Sequence, residues 1–297
     1  MRARPVLRLA AGTAVLGAAT LAYASLIERN MFTLRRFDLP VLAPDAEPLR
    51  ILHISDLHLT PGQHRKQRWV AELAATDPDL VVATGDNIAH VDAVPAVARA
   101  LSPLFDRPGA FVFGSNDYRG PVFKNPFGYF DHSRDYIQGG ELPTEELREL
   151  LTGAGWADLN NARRTLKAGG RVVELVGVDD PHVDRDDYPS VAGPVDPAAD
   201  VHVALVHSPE PAVLNAMAAD GFELLVAGHT HGGQVCVPGI GALVTNCGLD
   251  RRMAKGLHRW PDSASWLHVS AGLGTSPTAP VRFACRPEAT ILTLVPR

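Results

Sequence analysis

The stretch Gly228-His229-Thr230-His231-Gly232-Gly233-Gln234 follows the apolar run Leu224 to Ala227. The apolar run is typical of a buried strand, and the glycine after it ends that strand. Two histidines one residue apart on such a turn can direct their imidazoles at one point from different sides, and glycines let the backbone approach that point closely. An isolated His-x-His pattern more often lies on a partly exposed turn without a ligand. The interpretation as a metal-binding turn gains weight because similar polar residues follow four apolar runs upstream.

Each apolar run that resembles a strand ends in residues able to bind a metal ion. With the opening turn included, the candidates are Asp56 and His58, Asp86, Ser115 or Asn116, His207, and His229 and His231. Strands alternate with helical patterns, which indicates α/β organisation, and the carboxyl ends of strands in an open α/β sheet line one crevice. Carboxylate oxygen and imidazole nitrogen suit Mn, Fe or Zn. The candidates are too many for one tetrahedral ion, so the pattern predicts two divalent or trivalent ions that share a carboxylate and hold a hydroxide between them.

The order and spacing of these motifs resemble the calcineurin-like metallophosphoesterases. The motifs that carry the resemblance are Asp56-x-His58, Gly85-Asp86, Gly114-Ser115-Asn116-Asp117, His207 and Gly228-His229-Thr230-His231. The resemblance extends from Ile51 to the C-terminus and implies a four-layer α/β/β/α sandwich with two central mixed sheets. It also implies that one ion is held by Asp56, His58 and His231, the other by His207 and His229, with Asp86 as the bridge.

Two further stretches, Gly177-Val178-Asp179-Asp180-Pro181 and Gly272-Leu273-Gly274, resemble a bacterial branch of that family. Its members are often membrane-tethered or wall-associated, and some cleave the UDP-diacylglucosamine intermediate of lipid A synthesis. The resemblance therefore implies a phosphate-ester substrate, with a lipid- or wall-linked one as an option. Ala89 occupies the position at which purple acid phosphatases carry a metal-binding tyrosine, so that branch is excluded.

The third motif departs from the family's usual Gly-Asn-His-Asp/Glu, in which Asn binds the second metal and His protonates the leaving group or steadies the phosphate. A gap-free reading puts Ser115 in the place of the Asn. A shift by one residue keeps Asn116 as the ligand and puts Asp117 in the place of the His. We prefer the shift, because an amide carbonyl is the better donor to a hard cation, and we predict Asn116 as a ligand and Asn116 and Asp117 as catalytic residues. General acid–base help is worth about 10²–10⁴-fold, so the missing histidine predicts slow turnover or a leaving group that needs little protonation.

The first thirty residues differ from the rest of the chain. Three arginines precede an uncharged stretch from Leu9 to Ile27, which is long enough to span a bilayer. The positive flank predicts the N-terminus inside the cell and the domain outside, attached to the cell membrane. The triplet Ala22-Tyr23-Ala24 resembles a signal-peptidase site, so secretion after cleavage near Ala24 is the alternative. We thus expect a membrane anchor or signal segment at 1–30, a linker at 31–49 and a metallophosphoesterase domain at 50–297.

Composition limits the other possibilities. The 297 residues are 46% hydrophobic and 21% charged, as in an ordinary globular protein. The formal net charge of -5 argues against a nucleic-acid-binding face. Outside the motifs, His53 and most other histidines are interpreted as structural, and His182 has the best chance of reaching the crevice because it follows Asp179-Asp180-Pro181. The aromatic-rich segment Tyr118 to Ile137 is either a packed surface excursion or a lid over the strand ends.

The sequence therefore predicts a metal-dependent phosphoesterase that hydrolyses a phosphate mono- or diester. One alternative is a catalytically weakened phosphoesterase scaffold that still binds metal, which the altered third motif favours. The other is a dinuclear hydrolase of a different ester or an amide, because the ligand set by itself permits that chemistry.

Overall fold

The computed structural model of the protein describes residues 3–122 and 139–297, with side chains from residue 11 onward in those ranges. Two six-stranded mixed sheets form the centre of this part of the chain. In spatial order, the first sheet consists of β1 (Thr33–Leu42), β14 (Glu288–Pro296), β2 (Leu49–Ile54), β3 (Leu80–Thr84), β4 (Gly109–Val112) and β5 (Ala157–Asp158). The second consists of β12 (Gly256–Arg259), β13 (Trp266–Val269), β9 (Leu224–Ala227), β8 (Val201–Val206), β7 (Arg171–Gly177) and β6 (Ala162–Ala168).

Helices cover the outer faces of both sheets. Three helices pack on the first sheet, α2 (His64–Glu72), α3 (Val94–Leu101) and α5 (Thr144–Gly153), and α6 (Pro211–Ala219) packs on the second. Side chains alternate along each strand, so Val81 of β3 packs towards the helices while Val82 enters the apolar layer between the sheets. In β9, Leu225 packs towards the helix side and Val226 enters the layer between the sheets. The layers therefore follow the order α/β/β/α, which confirms the predicted fold class.

The carboxyl ends of five strands, from both sheets, meet at one edge of the sandwich. β2, β3 and β4 end just before Asp56, Asp86 and the third motif, while β8 and β9 end just before His207 and His229. The third motif itself forms a single helical turn, α4 (Ser115–Tyr118). Most of the segment Tyr118 to Ile137, which the sequence predicts to be a lid or a surface excursion, lies outside the described residues.

Residues 31–49, which the sequence predicts to be a linker, contain a strand. β1 pairs in parallel with β14 over nearly its whole length and buries Leu39 and Leu42. The signal was missed because Pro40 interrupts the strand pattern. A proline is tolerated here because β1 is an edge strand, where one side needs no backbone N–H donor.

The N-terminal helix α1 (Ala3–Ala22) continues as a wider turn over Tyr23–Ile27 and a tighter one over Glu28–Asn30. The segment Ala11–Asn30 is long and apolar enough to cross a membrane, and most of it stands away from the domain. Among the described side chains of this segment, the buried ones lie in its last turns. Ala24 is buried, and the carboxylate of Glu28 accepts a hydrogen bond from the backbone N–H of Cys285 at 2.7 Å.

Candidate metal centre

Most of the predicted ligands sit on backbone in the left-handed region. The φ angles are 51° at Asp56, 41° at His58, 55° at Asp86, 67° at His229 and 49° at His231. Left-handed backbone is unfavourable for residues other than glycine and persists only where the surroundings impose it, often at functional sites. Here the loops impose it on one another, because the N–H groups of Asp56 and His58 donate to the carbonyls of Gly85 and Asp86 at 3.0 and 2.8 Å.

Two glycines allow the loops to approach the ligands. A Cβ atom on Gly228 would lie 2.0 Å from Ser55 Oγ and 2.6 Å from Asp56 Oδ2. A Cβ atom on Gly114 would lie 2.4 Å from Asp86 Oδ1. Side chains at these positions would displace both carboxylates, so the glycines predicted to end strands are also required for space.

Four predicted ligands converge in the first group of donor atoms. Asp56, His58, Asp86 and His231 each offer one atom, and the four atoms lie within 4.8 Å of one another. His58 Nε2 is 3.2 Å from His231 Nε2 and 3.4 Å from Asp86 Oδ2. His231 Nε2 is 3.5 Å from Asp56 Oδ1. Ligand atoms about 2.1 Å from a tetrahedral ion stand roughly 3.4 Å apart, so this donor set fits a metal ion.

A second group of donors adjoins the first through Asp86. His207 Nε2 lies 3.4 Å from Asp86 Oδ2 and 3.4 Å from His229 Nδ1. The side-chain Nδ2 of Asn116 donates a hydrogen bond to the same Oδ2 atom at 2.7 Å. The two groups therefore share one carboxylate oxygen.

Three of the histidines have one ring nitrogen engaged by a backbone carbonyl. His207 Nδ1 is 2.6 Å from Thr84 O, His229 Nε2 is 3.2 Å from Asn246 O, and His231 Nδ1 is 3.2 Å from Gly274 O. A ring N–H that donates to a carbonyl leaves the other nitrogen with a lone pair for a metal. This arrangement is typical of metal-binding histidines.

Burial and the nearby carboxylates together determine which imidazoles are neutral. Burial lowers the pKa of His58 to about 4 and holds the pKa of His229 and His231 well below the usual value. Burial opposes a proton on His207 as well, but the carboxylates of Asp86 and Asp180 raise its pKa well above the usual value. Three imidazoles are therefore in the form that binds metal, and a cation at His207 would displace a proton.

The third motif presents its three residues differently. Asn116 directs both its backbone N–H and its side-chain amide at the carboxylate of Asp86, at 2.8 and 2.7 Å. Ser115 donates its backbone N–H to Asp180 at 2.7 Å. The buried carboxylate of Asp117 accepts hydrogen bonds from the backbone N–H groups of Asn87, Ile88 and Gly114 at 2.7, 3.2 and 3.1 Å. The geometry thus brings Asn116, but not the Asp117 carboxylate, into contact with the bridging position, and their catalytic roles stay predictions.

A buried hydrogen-bond chain, not recognised from the sequence, leads to Asp56. Ser55 Oγ donates to Asp56 Oδ2 at 2.5 Å, and Thr84 Oγ1 lies 2.8 Å from both Ser55 Oγ and His53 Nε2. His53 Nδ1 lies 3.0 Å from His268 Nδ1 of the second sheet. His53, which the sequence assigns a structural role, therefore takes part in orienting a predicted ligand. The available signal was the spacing of His53 and Ser55, which are two residues apart at the end of β2, so that alternation directs both to the same side.

Arg282 is a second residue that the sequence analysis missed. Its guanidinium is fully buried and Nη2 donates to the carbonyls of Ala271, Gly272 and Gly274 at 2.7, 3.1 and 2.6 Å. Nη1 reaches the carbonyl of His231 at 3.3 Å. Arg282 thus joins the histidine turn to the Gly272–Gly274 loop, and no local pattern marks this role.

His182 reaches the site, as the sequence suggested. Its ring centroid lies 4.5 Å from that of His229. The carboxylate of Asp180 accepts the backbone N–H of His182 at 3.0 Å and that of Ser115 at 2.7 Å. Burial raises the pKa of Asp180 to about 6. Asp180 therefore connects the third motif to the turn that carries His182.

Comparisons with known proteins agree with this geometry. The model of the calcineurin-like phosphoesterase family matches residues 49–233, more than half of the chain. The uncharacterized metallophosphoesterase YkuE of Bacillus subtilis is 27% identical over 248 residues, which cover 82% of this chain and 78% of YkuE. The phosphodiesterase YaeI of Escherichia coli is 27% identical over 285 residues and 92% of each chain. The UDP-2,3-diacylglucosamine pyrophosphatase LpxG of Chlamydia trachomatis is 25% identical over 308 residues and 91% of each chain.

Proposed function

The chain belongs to the calcineurin-like phosphoesterase family of phosphoester hydrolases, and on that basis we propose that it hydrolyses a phosphate mono- or diester at a centre of two metal ions. The observation that carries the proposal is the position of Asp86. Its Oδ2 atom lies 3.4 Å from both His58 Nε2 and His207 Nε2, so one carboxylate serves two groups of donors.

Seven residues hold the two ions in this proposal. Asp56, His58 and His231 bind the first ion, His207, His229 and Asn116 bind the second, and Asp86 bridges them. The mixed nitrogen and oxygen donors favour Mn, Fe or Zn. When bound, such a pair supplies a nucleophile at neutral pH, because it lowers the pKa of water from about 15.7 towards about 7, and it neutralises phosphate charge.

The residues of the chain do the rest of the work. The loops after β2 and β3 fix their donors before substrate arrives, since the N–H groups of Asp56 and His58 donate to the carbonyls of Gly85 and Asp86. Ser55 orients Asp56 through a bond of 2.5 Å. The carbonyls of Thr84, Asn246 and Gly274 hold the rings of His207, His229 and His231.

His182 is the residue that we assign to protonation of the leaving group. The Asp117 carboxylate is occupied by three backbone N–H groups, which leaves it poorly placed to give a proton to substrate. The His182 ring packs 4.5 Å from the His229 ring at the site. His182→Gln should slow hydrolysis of alkyl phosphates by about 10²-fold or more, while p-nitrophenyl phosphate, whose leaving group needs no proton, should react almost normally. Equal losses on both substrates would contradict this role.

We place the domain outside the cell, tethered to the membrane by residues 1–30. Ala24 is buried in a helical turn, and its carbonyl accepts a hydrogen bond from the N–H of Arg282 at 3.1 Å. A signal peptidase would need that segment extended and accessible, so the contact supports an anchor over secretion after cleavage near Ala24.

One relative is named for a UDP-2,3-diacylglucosamine substrate, which supports a lipid-linked phosphate ester as substrate.

The test combines metal content with a substrate panel. Full-length protein is loaded with Mn, Fe or Zn, its metal content is measured by mass spectrometry, and it is assayed on p-nitrophenyl phosphate, bis(p-nitrophenyl) phosphate, p-nitrophenyl acetate and an anilide. We expect two ions per chain and hydrolysis of phosphate esters only. Two bound ions without phosphatase activity would favour the catalytically weakened scaffold. Hydrolysis of p-nitrophenyl acetate or the anilide, but of no phosphate ester, would favour a dinuclear hydrolase of a different ester or an amide. One ion per chain in an active protein would overturn the dinuclear proposal.

A further inference from the structure

A hairpin with exposed apolar side chains directly follows the histidine turn. It consists of β10 (Cys236–Val237) and β11 (Gly241–Ala242), which pair antiparallel. In the described domain after residue 30, the exposed large hydrophobic residues are Val91, Val235, Ile240 and Leu243. Three of these four lie in residues 235–244, which comprise the hairpin and the residues that flank it, and Ile240 at the tip is 69% exposed. Contiguous exposed apolar groups usually mark an interaction surface.

The hairpin is also unusual because it lacks charged residues. Residues 232–249 contain no charged residue, although charged residues make up 21% of the chain. The exposed residues Asp250, Arg251 and Arg252 follow, and the carboxylate of Asp250 pairs with the guanidinium of Arg252 at 2.6 Å. An uncharged apolar tip enters the boundary of a bilayer without the cost of desolvating a charge.

Contacts connect the hairpin to the N-terminal helix. Val235 bridges to Phe283, and the N–H of Cys236 donates to the carbonyl of Phe283 at 2.8 Å. The Phe283 ring contacts Tyr23 edge-on, with centroids 6.5 Å apart. The hairpin is therefore linked to the last turns of that helix through Phe283, which contacts both.

The position of Tyr23 along the helix indicates how deep in the membrane these contacts would lie. The uncharged stretch continues past Tyr23 to Ile27. At about 1.5 Å per residue, Tyr23 lies roughly 6 Å inside the end of the apolar run, and tyrosine itself favours the membrane–water boundary. Phe283, and with it the base of the hairpin, must then lie at that boundary whenever the helix spans a membrane.

We infer that residues 235–244 form a second membrane contact, with Val235, Ile240 and Leu243 in the outer boundary of the bilayer that holds α1. The inference rests on the membrane anchor in the proposed function. Its consequence concerns the site, because the carbonyl of Asn246, just after the hairpin, accepts from His229 at 3.2 Å. The contact therefore holds the metal centre close to the membrane surface, where it can reach the phosphate of an amphiphilic ester without extracting it.

Tryptophan quenching tests the contact in the full-length protein. Ile240→Trp and Val91→Trp are reconstituted into vesicles of phosphatidylcholine and phosphatidylglycerol with bromine on the acyl chains. Val91 is 56% exposed and serves as the matched control. We expect the added tryptophan at 240 to lose fluorescence in brominated vesicles and the one at 91 to behave as in water. Equal behaviour of the two, or burial of residue 240 in a dimer without bromine quenching, would overturn the inference.

A charge variant supplies an independent readout. Ile240→Asp/Leu243→Asp should hydrolyse p-nitrophenyl phosphate like the parent but lose several-fold activity on a phosphate ester embedded in vesicles, whereas Val91→Asp should lose neither. Unchanged activity on the embedded ester would count against the contact. Failure of the parent on every phosphate ester would sink the phosphoesterase proposal but leave the quenching result valid. An alkaline wash of the vesicles tests the anchor. Protein that stays in the vesicles but shows no quenching at residue 240 overturns the hairpin contact alone. Protein that the wash releases overturns both the anchor and the hairpin contact.

Discussion

At the scale of single residues, Ser115 and Asn116 are neighbours with different surroundings. The Asn116 side chain contacts the shared Asp86 carboxylate at 2.7 Å, whereas Ser115 gives its backbone N–H to Asp180. A one-residue shift in a turn thus decides which side chain faces the metal centre. Backbone geometry, which no alignment of the motif reveals, makes Asn116 the better candidate for the ligand.

Asn116→Ala should therefore weaken one metal site and lower kcat by roughly 10–100-fold, the range typical for losing a group that supports a metal site. Ser115→Ala is the matched control, because it keeps the backbone N–H that binds Asp180, and it should lose little. Metal titration followed by steady-state kinetics measures both effects. The opposite ranking would identify Ser115 as the ligand.

At the scale of secondary-structure elements, β2, β3 and β13 cooperate through the buried chain that ends at Asp56. Thr84 of β3 is its central member, since its hydroxyl lies 2.8 Å from both Ser55 and His53. A buried polar chain of this kind stabilises a single arrangement only while every member has a partner. The strands therefore position a predicted ligand, Asp56, as well as forming the core.

Thr84→Val keeps the shape and removes the hydroxyl, so it should destabilise the protein by about 1–3 kcal/mol, because two buried groups lose a partner. It should also weaken metal binding through Asp56. Thr290→Val is the control, since Thr290 is equally buried in β14 and its hydroxyl has no hydrogen-bond partner among the described residues. Urea unfolding should show little loss for Thr290→Val. Equal losses in the two variants would argue against a role for the chain.

At the scale of the whole molecule, the candidate metal centre joins the two sheets. Asp56 and Asp86 follow strands of the first sheet, and His207 and His229 follow strands of the second. Ions shared between these loops would cross-link the halves of the sandwich and bind only the folded state. Stability and metal occupancy should therefore change together.

Removal of metal by a chelator should lower Tm, and excess metal should restore it, since a ligand at 100 times its Kd stabilises by about 2.7 kcal/mol. Asp86→Asn, which removes the shared charge with little change of shape, should largely abolish this response. Calorimetry with and without Mn or Zn measures it. A Tm of the parent that ignores both chelator and metal would contradict a metal-linked fold.

Membrane orientation is also a property of the whole chain. Three arginines before the uncharged run predict that the domain lies outside. A protease added to intact spheroplasts should digest the domain, and a cytoplasmic marker should survive as the control. Protection of the domain until the cells are lysed would reverse the predicted topology.

The sequence alone determined α/β organisation and six candidate ligands, and its resemblance to the family implied the four-layer order. Apolar runs that end in Asp or His reveal themselves locally, because side chains alternate along strands and strand ends meet at one edge. That is why Asp56, His58, Asp86, His207, His229 and His231 could be identified without coordinates, and the structure brings them together.

Only the tertiary structure decided features that depend on contacts between distant parts of the chain. β1 is a strand because β14, more than 240 residues later, offers it a partner at a sheet edge that tolerates Pro40. Arg282 and His268 serve the site through contacts with loops and strands far away in sequence. The apolar hairpin forms a two-stranded sheet of its own outside the two central sheets, and its tip is exposed. Local sequence carries propensity, whereas pairing, burial and exposure are properties of the assembled chain.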